Sequence, residues 1–184
     1  MTTHELRSEQ HVRVDFRDIF REHLRFVLMS LRRLGVRDGD VEDVAQEVFV
    51  AVHRKLDDYD STRPLPLWLF GFCLRAASSY RRLARHRRWQ QPEDDSALEP
   101  TNTAPLPDDQ MVAEENRRMV LAALDAIEEE RRVVFVMHEM NDFPASQIAE
   151  MLNVPANTVY SRLRLAREEF RKAVHRIRAS RSTR

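Results

Sequence analysis

The sequence predicts an all-α protein of two small helical domains joined by a flexible acidic linker, and three observations carry that expectation. Only three glycines occur in 184 residues, and no stretch alternates β-branched with polar residues as a half-buried strand would. Apolar residues recur at helical spacing along most of the chain. The exception is residues 90–108, which hold four prolines and several acids with almost no large apolar side chain. Such a segment cannot bury enough to fold alone, so it reads as a linker and a domain boundary. The expected layout is a first domain at 12–89, the linker at 90–108, a second domain at 109–178 and a basic tail at 179–184.

Residues 15–34 read as the first helix, with Phe16, Ile19, Phe20, Leu24, Val27, Leu28 and Leu31 at helical spacing and Gly35 in the place of a C-terminal cap. VRDGD is a turn, and Asp40 is placed to cap a second helix, with Asp43 three residues on. That helix reaches about residue 56 and buries Val41, Val44, Ala45, Val48, Phe49 and Val52. Its other face carries Glu42, Asp43, Gln46 and Glu47, then His53, Arg54 and Lys55. Acids lead and bases trail, which suits the helix dipole, and a plain solvated face would look the same.

Residues 57–66 form a loop whose exit is fixed by two prolines. A third helix runs from about 66 to about 88. Its first half, LWLFGFCL, is almost wholly apolar and belongs at the centre of the core. Its second half keeps Ala77, Tyr80, Leu83 and Ala84 on one stripe and carries Arg75, Arg81, Arg82, Arg85, Arg87 and Arg88 with His86. Residues 80–88 hold five arginines and no acid. That concentration fits phosphate better than solvent alone.

Beyond the linker, residues 109–127 form a helix with Met111, Val112, Val120, Leu121, Ala123, Leu124 and Ile127 apolar. Residues 129–140 form another, with Val133, Val134, Val136, Met137 and Met140. NDFP then turns the chain into the stretch 146–167, SQIAEMLNVPANTVYSRLRLAR. Ile148, Ala149 and Leu152 share one face of a short helix, and Val159, Leu163, Ala166 and Phe170 share one face of the next. Asn153 stands where a short connection needs a positive φ, which Asn tolerates. Pro155 presets the first turn of the new helix, which continues to about residue 178. This is the pattern of a helix-turn-helix, although an αα-hairpin inside a bundle shares it. The outward surface favours the first: Asn157, Ser161, Arg164 and Leu165 face away from the seam, with Thr158 and Arg162 on the flank. Those are groove- and phosphate-contact types.

The formal net charge is zero, but the charge is segregated. Residues 93–115 hold eight acids and no Lys or Arg, while nine basic residues lie from 162 to the C-terminus. The linker acids are complementary to the Arg-rich surfaces and could mask them in the free protein. The single Cys73 sits in an apolar run and reads as a small core residue in a reducing compartment. No segment approaches the roughly 20 apolar residues of a membrane span, and the N-terminus lacks a secretory apolar core. A cytoplasmic location is expected, with no membrane insertion. No catalytic residue, metal ligand set or cofactor loop is found: the seven His are scattered, and His138-Glu139 is not completed as a zinc motif.

Two separated stretches, taken together, resemble a known family. Asp43-Val44-Ala45-Gln46-Glu47-Val48-Phe49, then Trp68-Leu69-Phe70 and the Arg-rich helix end, resemble conserved region two of bacterial sigma factors. Residues 121–171, with Thr158-Val159 and Ser161-Arg162-Leu163, resemble region four. The plan is similar to the extracytoplasmic-function class of the sigma-70 family. The resemblance implies a specificity subunit of RNA polymerase, without catalysis of its own, that directs initiation at promoters. Asp43, Gln46 and Glu47 would dock on the clamp helices of the largest polymerase subunit, and the second domain would meet the flap region. Tyr59, Arg63, Trp68, Arg75, Ser79, Tyr80, Arg81, Arg82, Arg85 and Arg88 would engage the −10 element, with a non-template base unstacked beside Trp68. Asn157, Thr158, Tyr160, Ser161, Arg162, Arg164, Leu165 and Arg167 would read the −35 element. The linker would thread the polymerase channel. An anti-sigma protein is a further partner that the resemblance allows.

Several positions depart from the family pattern. Arg75 and Ser79 stand near common Asn and Asp, Tyr160 replaces a basic residue, and Leu165 occupies a place often held by Arg. Glu128 stands for a helix-breaking Pro, which implies a stiffer joint, while Asn153 and Asn157 stand for Gly as residues able to take the left-handed conformation. The rival readings are a stand-alone helix-turn-helix regulator that binds duplex DNA without polymerase, and a polymerase-independent regulator that binds RNA.

Overall fold

The computed structural model describes residues 15–90 and 108–182, all helices and connections. The expected linker lies almost entirely outside the described residues, as do the N-terminal 14 residues and the last two. In chain order the helices are α1 (Phe16–Arg33), α2 (Val41–Arg54), α3 (Leu65–Gln90), α4 (Asp108–Asp125), α5 (Glu129–Phe135), α6 (Ala145–Leu152) and α7 (Ala156–Ser182). A 3₁₀ turn, Leu56–Asp58, follows α2, and a π-helical turn, Val136–Met140, extends α5. The third helix thus runs two residues past its expected end and the last one four residues past it, because nothing in either sequence breaks the helix there.

The first half is a bundle of α1, α2 and α3. Asp15 caps α1 by accepting a hydrogen bond from the Arg17 amide at 2.8 Å. Gly35, just beyond the C-cap Leu34, takes φ +91°, which its lack of a Cβ permits. Ile19, Val27 and Leu31 of α1 meet Val44, Val48 and Val52 of α2 and Leu69, Phe70, Cys73 and Ala77 of α3, all buried. Asp40 stands at the N-cap of α2 but makes no side-chain cap bond. Its carboxylate instead accepts from the Tyr80 hydroxyl at 2.5 Å, tying α2 to α3.

The second half packs α4, α5 and α6 against α7. Glu128 caps α5, accepting from the amides of Glu130 and Arg131 at 3.3 and 3.4 Å. The joint after α4 is therefore a clean break rather than a stiff continuation: a carboxylate at the N-cap marks the boundary that Pro marks elsewhere. The helix expected over 129–140 changes to π geometry at Val136 and ends at Met140, with Asn141 at the C-cap and Asp142 beyond it at φ +55°. Asn153 adopts φ 52°, ψ 49°, as the turn reading requires. Asn157, by contrast, lies within α7 and has no need of a left-handed conformation. Met111 and Val112 are more than half exposed rather than core residues. Burial along α4 begins only at Met119, and the earlier turns are held by polar contacts such as Glu115–Arg181 at 2.9 Å.

The two halves are in contact. Their buried residues form one continuous apolar cluster, bridged where the Phe70 ring of α3 meets the Phe143 ring edge-on, 5.9 Å between centroids. Met151 of α6 lies over Gly71 of α3, its Cε 3.7 Å from where a Cβ would stand.

Candidate nucleic-acid and polymerase interface

Three surfaces carry the residues singled out in the sequence. The first is the outer face of α2. Val44, Ala45, Val48 and Val52 turn inward, so helical spacing puts Asp43, Gln46 and Glu47 outward, and all three are exposed. Val50 completes the same i, i+3, i+4, i+7 stripe and is half exposed. Phe20 of α1 is 42% exposed, its ring 4.8 Å from that of Phe49 on α2. An apolar centre beside polar side chains is the anatomy of a docking patch, and Val50 and Phe20 were not singled out in the sequence. The signal for Val50 was available in the stripe. For Phe20 it was not, since an aromatic at helical spacing reads equally well as core.

The second surface lies at the start of α3. Tyr59, Trp68 and Phe72 form a column, with centroids 4.9 Å apart between Tyr59 and Trp68 and 4.8 Å between Trp68 and Phe72. The Arg75 guanidinium continues it, 4.7 Å from the Phe72 centroid. The loop is built to present this column. Asp60 accepts from both the amide and the hydroxyl of Thr62, which holds its carboxyl below the usual range. The Tyr59 hydroxyl donates to the Arg63 carbonyl at 2.7 Å. Burial, and then the neighbouring Asp60, push the Tyr59 phenol up, so it stays a neutral donor. Trp68 is half-buried, with its column neighbour Phe72 beneath it.

Along the rest of α3 the arginines divide. Ser79, Arg82 and Arg85 are exposed. Arg81 is not: only 14% of its side chain is exposed, and it donates to the Leu34 carbonyl and to Glu129 at 2.6 Å. Burial lowers its pKa, although Glu129 opposes the shift. Tyr80 is spent on Asp40, and burial and that bond together raise its phenol. The side chain of Arg88 lies outside the described residues.

The third surface is the outer face of α7. Val159, Leu163 and Ala166 are buried against the bundle, and Phe135 stacks on Phe170 at 5.0 Å. Asn157, Tyr160, Ser161, Arg164 and Arg167 are exposed, while Thr158, Arg162 and Leu165 are half-buried on the flanks. Leu165 is thus less outward than the spacing implied. The Ser161 hydroxyl donates back to the Thr158 carbonyl at 2.9 Å. Arg162 pairs with Glu130 of α5, and Arg167 donates to Glu139 at 2.6 and 3.1 Å. The Arg167 hydrogen bond holds the Glu139 carboxyl below its ordinary value.

Among the described residues no group of His, Cys, Asp and Glu could hold a metal ion, and no helix is long and apolar enough to cross a membrane. Burial pushes the Cys73 thiol up to about 12, leaving it without nucleophilic character. The arrangement can bind, stack and pair charge.

Comparison with known proteins agrees with this geometry. The family described as Sigma-70 region 2 matches residues 19–88, and Sigma-70 region 4 matches residues 117–170. The chain is 29% identical over 147 residues to the ECF RNA polymerase sigma-E factor of Escherichia coli K12, covering 76% of each. It is 26% identical over 165 residues to the RNA polymerase sigma factor NccH of Alcaligenes xylosoxydans xylosoxydans, covering 89% of each. In fold it is similar to CnrH, solved in complex with the cytosolic domain of CnrY, with a TM-score of 0.63, 24% identity and 87% of each chain covered. It is also similar in fold to the sigma factor RpoE of Bartonella quintana, solved with the anti-sigma factor NepR (TM-score 0.58, 19% identity, 85% of this chain and 96% of that one).

Proposed function

The chain belongs to the extracytoplasmic-function class of the bacterial sigma-70 family, a sigma factor of RNA polymerase, and on that premise we propose how its three surfaces divide the work of promoter recognition. Asp43, Gln46 and Glu47 dock on the clamp helices of the largest core subunit, with Val50 and Phe20 as the apolar centre of the contact. Polar rim contacts favour rapid and selective exchange, which suits a subunit that must engage and later leave. The second half sits at the flap region.

The −10 element is read at the start of α3. Unstacking one base costs a few kcal/mol, and stacking on an aromatic platform returns about 1–3 kcal/mol per base. Trp68 with Tyr59, backed by the buried Phe72, supplies that platform, and Arg63, Arg75, Ser79, Arg82, Arg85 and Arg88 hold the strand backbone. Tyr80 and Arg81 contribute only after release from Asp40 and Glu129. The −35 element is read in duplex form by α7. Asn157, Tyr160, Ser161 and Arg164 point to base edges, Leu165 offers an apolar contact suited to a thymine methyl, and Thr158, Arg162 and Arg167 hold phosphates.

The protein contributes specificity and no catalysis, and it works in the cytoplasm where polymerase and promoter DNA are. Because CnrH and the Bartonella factor were solved with CnrY and NepR, an anti-sigma protein is a fitting partner here too. The single observation that carries the reading is the presence in one chain of an exposed acidic-polar face on α2, an aromatic–arginine column on α3 and a recognition helix on α7. Run-off transcription tests it: promoters selected from random DNA with the reconstituted holoenzyme should support specific initiation. Tight DNA binding without initiation at any promoter would return the protein to a stand-alone duplex-binding regulator.

A further inference from the structure

We propose that the C-terminal half of α7 is a rail for the phosphate backbone of duplex DNA, along which Arg171, His175 and Arg178 extend the contact begun by the first half of the same helix. The inference rests on the reading of α7 as the duplex reader. It concerns residues outside that reading: the Sigma-70 region 4 match ends at residue 170, whereas α7 continues as one helix to Ser182.

Helical spacing sets the row. At about 100° per residue, Tyr160, Arg164, Arg167, Arg171, His175 and Arg178 follow one another three or four positions apart on a single strip of α7. All six are exposed. The strip faces outward along its whole length because the opposite seam continues too. Ala173 is buried like Val159, Leu163 and Ala166, Ile177 is half-buried, and α4 packs on α7. Arg181 pairs with Glu115 of α4 at 2.9 Å, which ties the last turn to the bundle.

The charge of this end is one-sided and largely unspent. Residues 171–182 hold five Lys and Arg and no acid. Two of the five are occupied, Lys172 by Glu168 at 2.6 Å and Arg181 by Glu115. Glu169, the other acid at the head of this stretch, turns to Arg131 of α5. Among the described residues no carboxylate pairs with Arg171, Arg176 or Arg178. The Arg171 Nε donates to the Arg167 carbonyl at 3.3 Å, which steadies the side chain on the helix and leaves its two terminal nitrogens for a phosphate.

Geometry selects duplex DNA as the occupant. The major groove is about 12 Å wide, and from Asn157 to Arg178 α7 rises about 32 Å. A straight helix seated by its first turns therefore leaves the groove and crosses the sugar–phosphate strand at its edge, with the same strip still toward the DNA. Arginines there meet phosphate, and such contacts add affinity and fix register without reading bases. An acidic protein surface would not require the row to run in line with Tyr160 and Arg164.

The test uses holoenzyme reconstituted with core polymerase on a promoter selected with the parent. In Arg171→Gln with Arg178→Gln, glutamine keeps the helix propensity, so helicity by circular dichroism should match the parent. Losing two phosphate contacts should lower the slope of log affinity against log salt by about 1.8. Between about 50 and about 200 mM salt the parent should then weaken roughly ten-fold more than the variant. The loss should be equal on matched and mismatched −35 sequences, whereas Arg164→Gln should change the preference between them. Ethylation of phosphates flanking the −35 base pairs should inhibit the parent and not the double variant. Arg171→Lys with Arg178→Lys should restore the slope, and Arg176→Gln, off the strip, should keep the ethylation pattern of the parent. An unchanged slope and ethylation pattern in the double variant would overturn the proposal. Weaker binding of that variant to core polymerase without DNA would overturn it too, and would assign the row to an acidic protein surface. A parent holoenzyme with no −35 preference at all would mark failure of the functional reading itself, a result distinct from either.

Discussion

The arginines of α3 and α7 are both tied to carboxylates, but the carboxylates come from different places. Arg162 and Arg167 of α7 are paired with Glu130 and Glu139, which belong to the same half. Arg81, in the Arg-rich end of α3, is paired with Glu129 across the joint, and Arg63, just before α3, with Glu150. The surface of α7 is thus set locally and survives any movement between halves. That of α3 is conditional on how the halves are packed. In the proposed division of work, the duplex-reading face on α7 is therefore set within its own half, while the α3 face shares its arginines with the other half.

The comparison breaks most visibly at Phe70. Its side chain is fully buried, lies in the α3 core and reaches Phe143 across the joint. Phe70→Ala should cost about 3–5 kcal/mol in denaturant unfolding, and hydrogen exchange should accelerate in α6 as well as in α1–α3. Leu163→Ala, a loss of about 2–5 kcal/mol, should loosen α7 and leave the first half protected. Exchange changes confined to the first half in the Phe70 variant would mean that the shared cluster carries no coupling.

The next largest effect separates the two readers by function. Trp68→Ala removes the middle of the column, and the loss of about 1–3 kcal/mol of stacking per base predicts a roughly 5- to 150-fold fall in run-off transcription. Permanganate reactivity of thymines at the −10 element should fall with it, while duplex binding through α7 should be unaltered. An equal loss of duplex binding would indicate that Trp68 acts through the fold rather than on a base.

These contrasts show which parts of the molecule were legible in the sequence. Helical spacing placed every helix, because burial on one face is a local constraint that each segment states for itself. Asn153 and Pro155 announced the turn between α6 and α7 for the same reason. The partners of Arg81 and Arg63 lie 48 and 87 positions along the chain, and no spacing rule reaches so far. Asp40 read as a cap by position, yet a hydroxyl on α3 competes for its carboxylate. Helical spacing gave no sign of the π turn at Val136–Met140, whereas the positive φ of Asp142 falls on a residue type that tolerates it. Both faces were legible by residue type, but the carboxylates that pair with Arg63 and Arg81 were not.

A smaller effect tests how locally α7 is set. Asn153 holds φ 52°, and an L-residue without an amide side chain pays about 1–2 kcal/mol in that region. Asn153→Ala should lower thermal stability by that amount and weaken −35 duplex binding, while Asn153→Gly should change either by only a few tenths of a kcal/mol. The distance between halves should not respond to either substitution. A change in that distance would couple the duplex reader to the joint.

The smallest effect is the pH dependence of the Arg167–Glu139 pair. The Glu139 carboxyl is held below its ordinary value of 4.5, first by the Arg167 hydrogen bond and then by the charges of Arg167 and His138, against an opposing cost of burial. A carboxyl with a lowered folded pKa stabilises fully above its unfolded value. That contribution is lost as pH falls from about 4.5 through the lowered folded value. Half of the Arg167 side chain is exposed, so solvent screening limits the pair to a few tenths of a kcal/mol. A double-mutant cycle of Glu139→Gln and Arg167→Ala should give that coupling in thermal denaturation at pH 7, and the coupling should shrink as pH is lowered progressively below 4.5. Because the pair lies within one half, the coupling should be the same in the parent and in a Glu129→Gln, Glu150→Gln chain that lacks the ion pairs between halves. A coupling that changed there would mean that α7 too depends on the contacts between halves, and the contrast between the two surfaces would be lost.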